Sequence, residues 1–212
     1  MKEEKVFIPS NGIQLEGLLS IQEVSSFSGG VICCHPHPQY GGEMSHPVMT
    51  TALETAFEEG FSTLRFNFRG VGESQGSYGE GVGERQDVRA VANYVYSRLK
   101  GDPRLLILVG YSFGAWTGFP VAIEDERFVG MVAIAPPLEI YDFGYLKGCK
   151  KKKLFIGGDR DSFCPPSLLE RWYRQLDEPK SLTIIPGADH FLFSHTRFLI
   201  EPIREFLRSF RS

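Results

Sequence analysis

Apolar residues in this chain gather in short unbroken runs more than in strict alternation. Gly30 to Cys34, Leu105 to Val109, Val129 to Ala135 and Lys153 to Ile156 are such runs, each bounded by glycine or by charged and polar residues. Runs of this length without a polar face predict strands buried on both sides. Strands are also expected at Ser62 to Phe68 and Ser181 to Ile185, with an opening hairpin of Lys5 to Ile8 and Ile13 to Ile21 turned at Asn11-Gly12. Between them, helical patterns cover roughly Pro47 to Glu59, Glu84 to Lys100, a segment opening at Ser112, Pro165 to Leu176 and a last helix ending near Phe210. Near-strict alternation of this kind predicts an α/β fold: a mostly parallel sheet of about eight strands with helices on both faces.

Length fits this picture as one domain spanning residues 1–212. The apolar share of 42% and charged share of 23% are those of an ordinary globular protein. With 23 basic against 26 acidic residues, the chain lacks the positive excess that phosphate-backbone binding requires, so nucleic acid is not an expected partner. The basic run Lys150 to Lys153 is read as a solvated loop leading into a strand. A charged start and the absence of a long apolar stretch predict a cytoplasmic protein that neither spans nor enters a membrane. The four cysteines show no metal or disulfide spacing, and Cys33 and Cys34 should point to opposite faces of one strand.

In an open parallel sheet, ligands bind beyond the carboxyl ends of the strands. That is where the chemistry-bearing residues of this sequence fall. Gly110-Tyr111-Ser112-Phe113-Gly114 joins a strand to a helix and reads as a G-x-S-x-G elbow with Ser112 as nucleophile. Gly110 and Gly114 leave room for the turn, and the Phe113 amide faces any oxyanion formed on a bound acyl group. A serine hydroxyl needs a base held by a third group. Asp161 and His190 follow later strands in the chain order this architecture uses, Ser, then Asp, then His. Asp161 is preferred over Asp159 because it stands further past its strand; Asp159 would instead brace the loop by accepting amides. His190 is preferred over His195, which the last helix carries away.

The segment His35-Pro36-His37-Pro38 follows another strand, and its prolines leave the His37 amide as a second oxyanion donor. His35, His37 and His46 also admit a metal reading, but no third ligand of matching spacing accompanies the H-x-H pair, and neither a metal nor any cofactor is expected. Glycines at Gly70, Gly72 and Gly76 follow a strand too, yet Gln75 occupies the third glycine position of a dinucleotide fingerprint, leaving nucleotide binding as a weaker alternative. Tyr40, Trp116 and Phe163, with Phe113, are candidates for an acyl pocket.

Together these residues resemble the α/β-hydrolase superfamily over nearly the whole chain. The H-P-H-P loop, Arg65-Phe66-Asn67-Phe68-Arg69-Gly70-Val71-Gly72-Glu73-Ser74 and Gly83-Glu84-Arg85-Gln86-Asp87 are similar to small lidless bacterial hydrolases related to dienelactone hydrolase. The resemblance implies a structural role for Arg69 and hydrolysis of a small ester, thioester or amide. Dienelactone hydrolase carries a cysteine where this chain has Ser112, which argues against carrying over its substrate. Acyl transfer, peptide cleavage on the same residues and a non-catalytic protein of this fold stay open at this point. The stretch from Ala135 to Lys153 is too short for a lid domain, so an open site is expected.

Overall fold

The structure, a computed structural model, describes residues 1–23, 28–101 and 104–211. Its eight strands are β1 (Glu4–Ser10), β2 (Ile13–Ser20), β3 (Ser28–Cys34), β4 (Ser62–Phe66), β5 (Arg104–Tyr111), β6 (Phe128–Ile134), β7 (Lys152–Gly158) and β8 (Lys180–Ile185). They form one sheet in the order β1-β2-β4-β3-β5-β6-β7-β8, antiparallel only at the β1/β2 and β2/β4 pairings. Five α-helices flank it: α1 (Pro47–Glu58), α2 (Val82–Arg98), α3 (Phe113–Glu124), α4 (Pro166–Tyr173) and α5 (Ile200–Arg208). This is the mostly parallel sheet, covered on both faces, that the apolar runs predict.

The unbroken apolar runs become the central strands because each of their residues meets a core. Ile32, Cys34, Leu106 and Leu108 enter the core shared with α2 and α3, while Val31, Cys33, Ile107 and Val109 enter the core shared with α1 and α5. All seven residues of β3 are buried. At roughly 25 cal/mol per Å² of apolar surface removed from water, such two-sided burial is the main term holding the sheet together. No helix among the described residues is long and apolar enough to cross a membrane.

Two expectations need correction. The fourth strand stops at Phe66 rather than Phe68, because the next backbone groups are claimed by side chains. The Asn67 carbonyl accepts from the Ser74 hydroxyl (2.7 Å), and the Phe68 amide donates to His35 (3.0 Å). Nor is the basic run solvated throughout. Lys153 lies inside β7, fully buried, with its ammonium donating to the carbonyl oxygens of Cys149 (2.7 Å) and Lys151 (2.8 Å). Its long stem crosses apolar surface while local carbonyls replace the water its charge gives up.

Helix α3 contains Pro120, which has no N–H for the Trp116 carbonyl one turn back. The Tyr145 hydroxyl donates to that carbonyl instead (3.3 Å). Residues 135–151 are thereby tied to α3, and the ring of Tyr141 stacks on Trp116 with centroids 4.2 Å apart and planes 13° apart.

Candidate active site

Register decides what meets at the carboxyl edge of the sheet. Cys34 of β3 lies opposite Gly110 of β5, and Gly158 of β7 lies opposite Ile185 of β8. The loops after β3 and β5 therefore leave the sheet side by side, as do those after β7 and β8.

At the first junction, Ser112 has φ 52° and ψ −118°, a left-handed backbone that an L-residue adopts only under constraint. The constraints are visible on both sides. The Ser112 amide donates to the Ile134 carbonyl (2.9 Å), and Ala115 and Trp116 donate back to the Ser112 carbonyl as α3 begins. A Cβ at Gly110 would sit 2.4 Å from the Cα of Ala115, and one at Gly114 would sit 2.0 Å from the carbonyl oxygen of Cys34. Only glycine permits these approaches, and the second brings the loop after β3 against the elbow.

That loop is held by His35, which is fully buried. Its Nε2 accepts from the Phe68 amide, so the proton resides on Nδ1, which donates to the Pro36 carbonyl (2.7 Å). Burial drives its pKa down to about 4 and keeps the ring neutral. His37 caps a short 3-10 turn at Pro38–Tyr40: its Nδ1 accepts from the Gln39 amide (3.2 Å) and its ring lies 4.7 Å from that of Phe113. Among the described residues, the amides of His37 and Phe113 donate to no other protein group. Both of these histidines have protein partners, which leaves the H-x-H pair as a clip for the loop.

At the second junction, Asp161 accepts from the amides of Phe163 (2.8 Å) and Cys164 (3.0 Å) through Oδ1 and from His190 Nδ1 (2.9 Å) through Oδ2. His190 Nε2 stands 2.9 Å from Ser112 Oγ. With Nδ1 donating to the carboxylate, Nε2 is free to accept the serine proton. All three residues are nearly buried, Asp161 most completely at 2% exposure. Asp159 is turned away and accepts from the Gly187 amide (2.7 Å), while Asp189 closes its own turn by accepting from Phe191 and Leu192. His195 stacks on Phe198, away from Ser112.

Ser112 and His190 open into a pocket of about 650 Å³. Tyr40, Phe113 and Phe163 line it, but Trp116 does not; it backs the wall as the platform beneath Tyr141. Sequence reasoning missed Tyr141, Ile140, Phe191, Phe193 and His46, all of which line the pocket. The available signal was apolar residues standing in loops where polar ones are the norm, as in Ile140-Tyr141 and Phe191-Leu192-Phe193. Further back, the Arg69 guanidinium donates twice to buried Asp87 (3.0 and 2.7 Å), its amide donates once (3.1 Å), and the Ser10 hydroxyl adds a fourth bond to the same carboxylate (3.0 Å). Arg69 thus braces the loop after β4 and does not reach the pocket.

Comparison with known proteins agrees with this architecture. Residues 35–197 match a family model described as an alpha/beta hydrolase domain. A protein of Rickettsia prowazekii, RP471, is 33% identical over 186 residues, covering 84% of this chain and 78% of the relative. An alpha-beta serine hydrolase homologue from Coxiella burnetii superposes with a TM-score of 0.86 at 33% identity, covering 97% of each chain. A serine hydrolase without lid from Xanthomonas campestris, XC6422, superposes with a TM-score of 0.88 at 29% identity, covering 99% of this chain and 95% of that one.

Proposed function

The chain belongs to the alpha/beta hydrolase domain family and is an enzyme of that class, and from that premise we propose that it cleaves a small carboxylic ester or thioester through an acyl-enzyme formed on Ser112. The observation that carries this reading is the continuous hydrogen-bonded line from Ser112 Oγ through the His190 ring to Asp161, 2.9 Å at each step, at the mouth of an apolar pocket.

In the proposed reaction, Ser112 Oγ attacks the substrate carbonyl carbon while its proton passes to His190 Nε2. Asp161 steadies the imidazolium through Nδ1–H, and its own remaining oxygen is already saturated by two backbone amides. The tetrahedral oxyanion is received by the amides of His37 and Phe113, which have no competing protein acceptor among the described residues. Collapse breaks the bond to the alkoxy or thiolate group, which leaves with the proton held by His190. A water then gives its proton to His190, attacks the acyl-enzyme and releases the acid with the serine restored. The open mouth of the pocket, where Tyr40 is 86% exposed, favours water over a sequestered acyl acceptor.

Labelling with a fluorophosphonate probe tests this directly. The wild-type protein is expected to gain one covalent adduct and to turn over short p-nitrophenyl esters, with both lost in Ser112→Ala and His190→Ala. A folded wild type that neither labels nor turns over an ester would refute the reading.

A further inference from the structure

The lining of the pocket carries more information than the line of reacting groups. Among the described residues, it contains no Asp, Glu, Lys or Arg. Phe and Tyr rings make up much of the wall, and Ile140, Phe163, Phe191 and Phe193 all keep between 37% and 61% exposure at its mouth. His37 and His46 are the imidazoles on the wall other than His190, and burial lowers the pKa of each, which leaves them neutral. Behind His190 stands the Asp161 carboxylate, which repels an anion placed on the substrate.

We propose that the site selects esters whose acyl group is uncharged and apolar, and rejects those whose acyl group ends in a carboxylate. This rests on the ester-hydrolase reading above and adds the substrate class to it. The physical reason is desolvation. A carboxylate drawn into this pocket gives up water and meets neutral rings, with no cation to take its charge. A branched alkyl group of the same shape meets the same rings and gains by leaving water. Ile140 is the position at which this selection can be rewritten. It lines the pocket and stands 55% exposed in the loop between β6 and β7.

The test compares two shape-matched substrates, p-nitrophenyl 6-methylheptanoate and the mono-p-nitrophenyl ester of adipic acid, by kcat/KM. Wild type is expected to favour the neutral ester by at least roughly 30-fold. Ile140→Lys is expected to narrow that ratio at least fivefold by raising turnover of the anionic ester, and to narrow it more than Ile140→Gln, which brings polarity without a cation. Fluorophosphonate labelling of each variant reports on Ser112 independently. Labelled wild-type protein that hydrolyses both esters within threefold of each other, or that leaves the neutral ester untouched, overturns the substrate class alone. A folded protein that neither labels nor hydrolyses either ester overturns the hydrolase reading and this proposal with it.

Discussion

The hydroxyl of Tyr111 donates to the carbonyl oxygen of His190 at 2.9 Å, so the residue preceding Ser112 holds the loop that carries its proposed base. Both groups are buried. Tyr111→Phe keeps the ring but leaves that carbonyl without its donor. A loss of about 1 kcal/mol in stability is expected, together with a fall in kcat of roughly tenfold as the imidazole loses its fixed angle. Urea denaturation and steady-state kinetics on one ester read both quantities.

Asp161 and Asp159 make contrasting contacts, and substitution separates them. Asp161→Asn keeps the shape but no longer favours the Nδ1–H tautomer, and kcat is expected to fall by roughly 10³ to 10⁴. Asp159→Asn retains an oxygen for the Gly187 amide and is expected to stay within about threefold of wild type. Equal losses in the two variants would remove Asp161 from its proposed place.

Much of this arrangement was legible in the chain itself. The two-sided strands announced themselves as unbroken apolar runs, and the candidates Ser112, Asp161 and His190 each stand in a segment that follows an expected strand. What the sequence did not reveal depends on contacts between distant segments. Trp116 sits one turn into a helix next to the elbow, which makes it look like a pocket residue. Only the carbonyl freed by Pro120, and its capture of Tyr145, shows that Tyr141 is laid over it. Lys153 reads as a surface charge until the carbonyls of Cys149 and Lys151 are seen around its ammonium.

Two glycines should respond very differently to a methyl group. Gly114→Ala drives a Cβ into backbone, 2.0 Å from the Cys34 oxygen, so the elbow must shift away from the loop after β3. Loss of nearly all ester turnover is expected, along with a lower melting temperature. Gly12→Ala meets nothing within 4 Å and bears only the strain of φ +86°, about 1 kcal/mol. Thermal denaturation and residual activity measured side by side distinguish crowding from strain.

Acid should destabilise the protein through His35. Its folded pKa of about 4 lies below the ordinary 6.5, so the unfolded chain takes up the proton first as pH falls. The contribution is therefore complete above pH 6.5 and is lost progressively between 6.5 and about 4. At about 1.4 kcal/mol per unit, the full loss is on the order of 3 kcal/mol. Denaturation midpoints across that range should slope upward with pH in wild type and flatten in His35→Gln.

Arg69→Met tests bracing without chemistry. It leaves the Asp87 carboxylate, whose side chain is fully buried, without its cation. A loss of about 3 to 5 kcal/mol in stability by urea denaturation is expected, with kcat per folded molecule unchanged within about threefold.

Loop 135–151 supplies Pro137, Ile140 and Tyr141 to the pocket wall yet contributes none of the groups proposed to react. Its moorings include the Trp116 ring, the Trp116 carbonyl, the Phe163 carbonyl and the ends of β6 and β7. A lineage of such proteins can therefore lengthen, shorten or recolour this segment as an exchangeable cassette and acquire new substrates while the machinery for bond breaking is inherited unaltered. The proline that leaves one helical carbonyl unclaimed is what gives the cassette its socket.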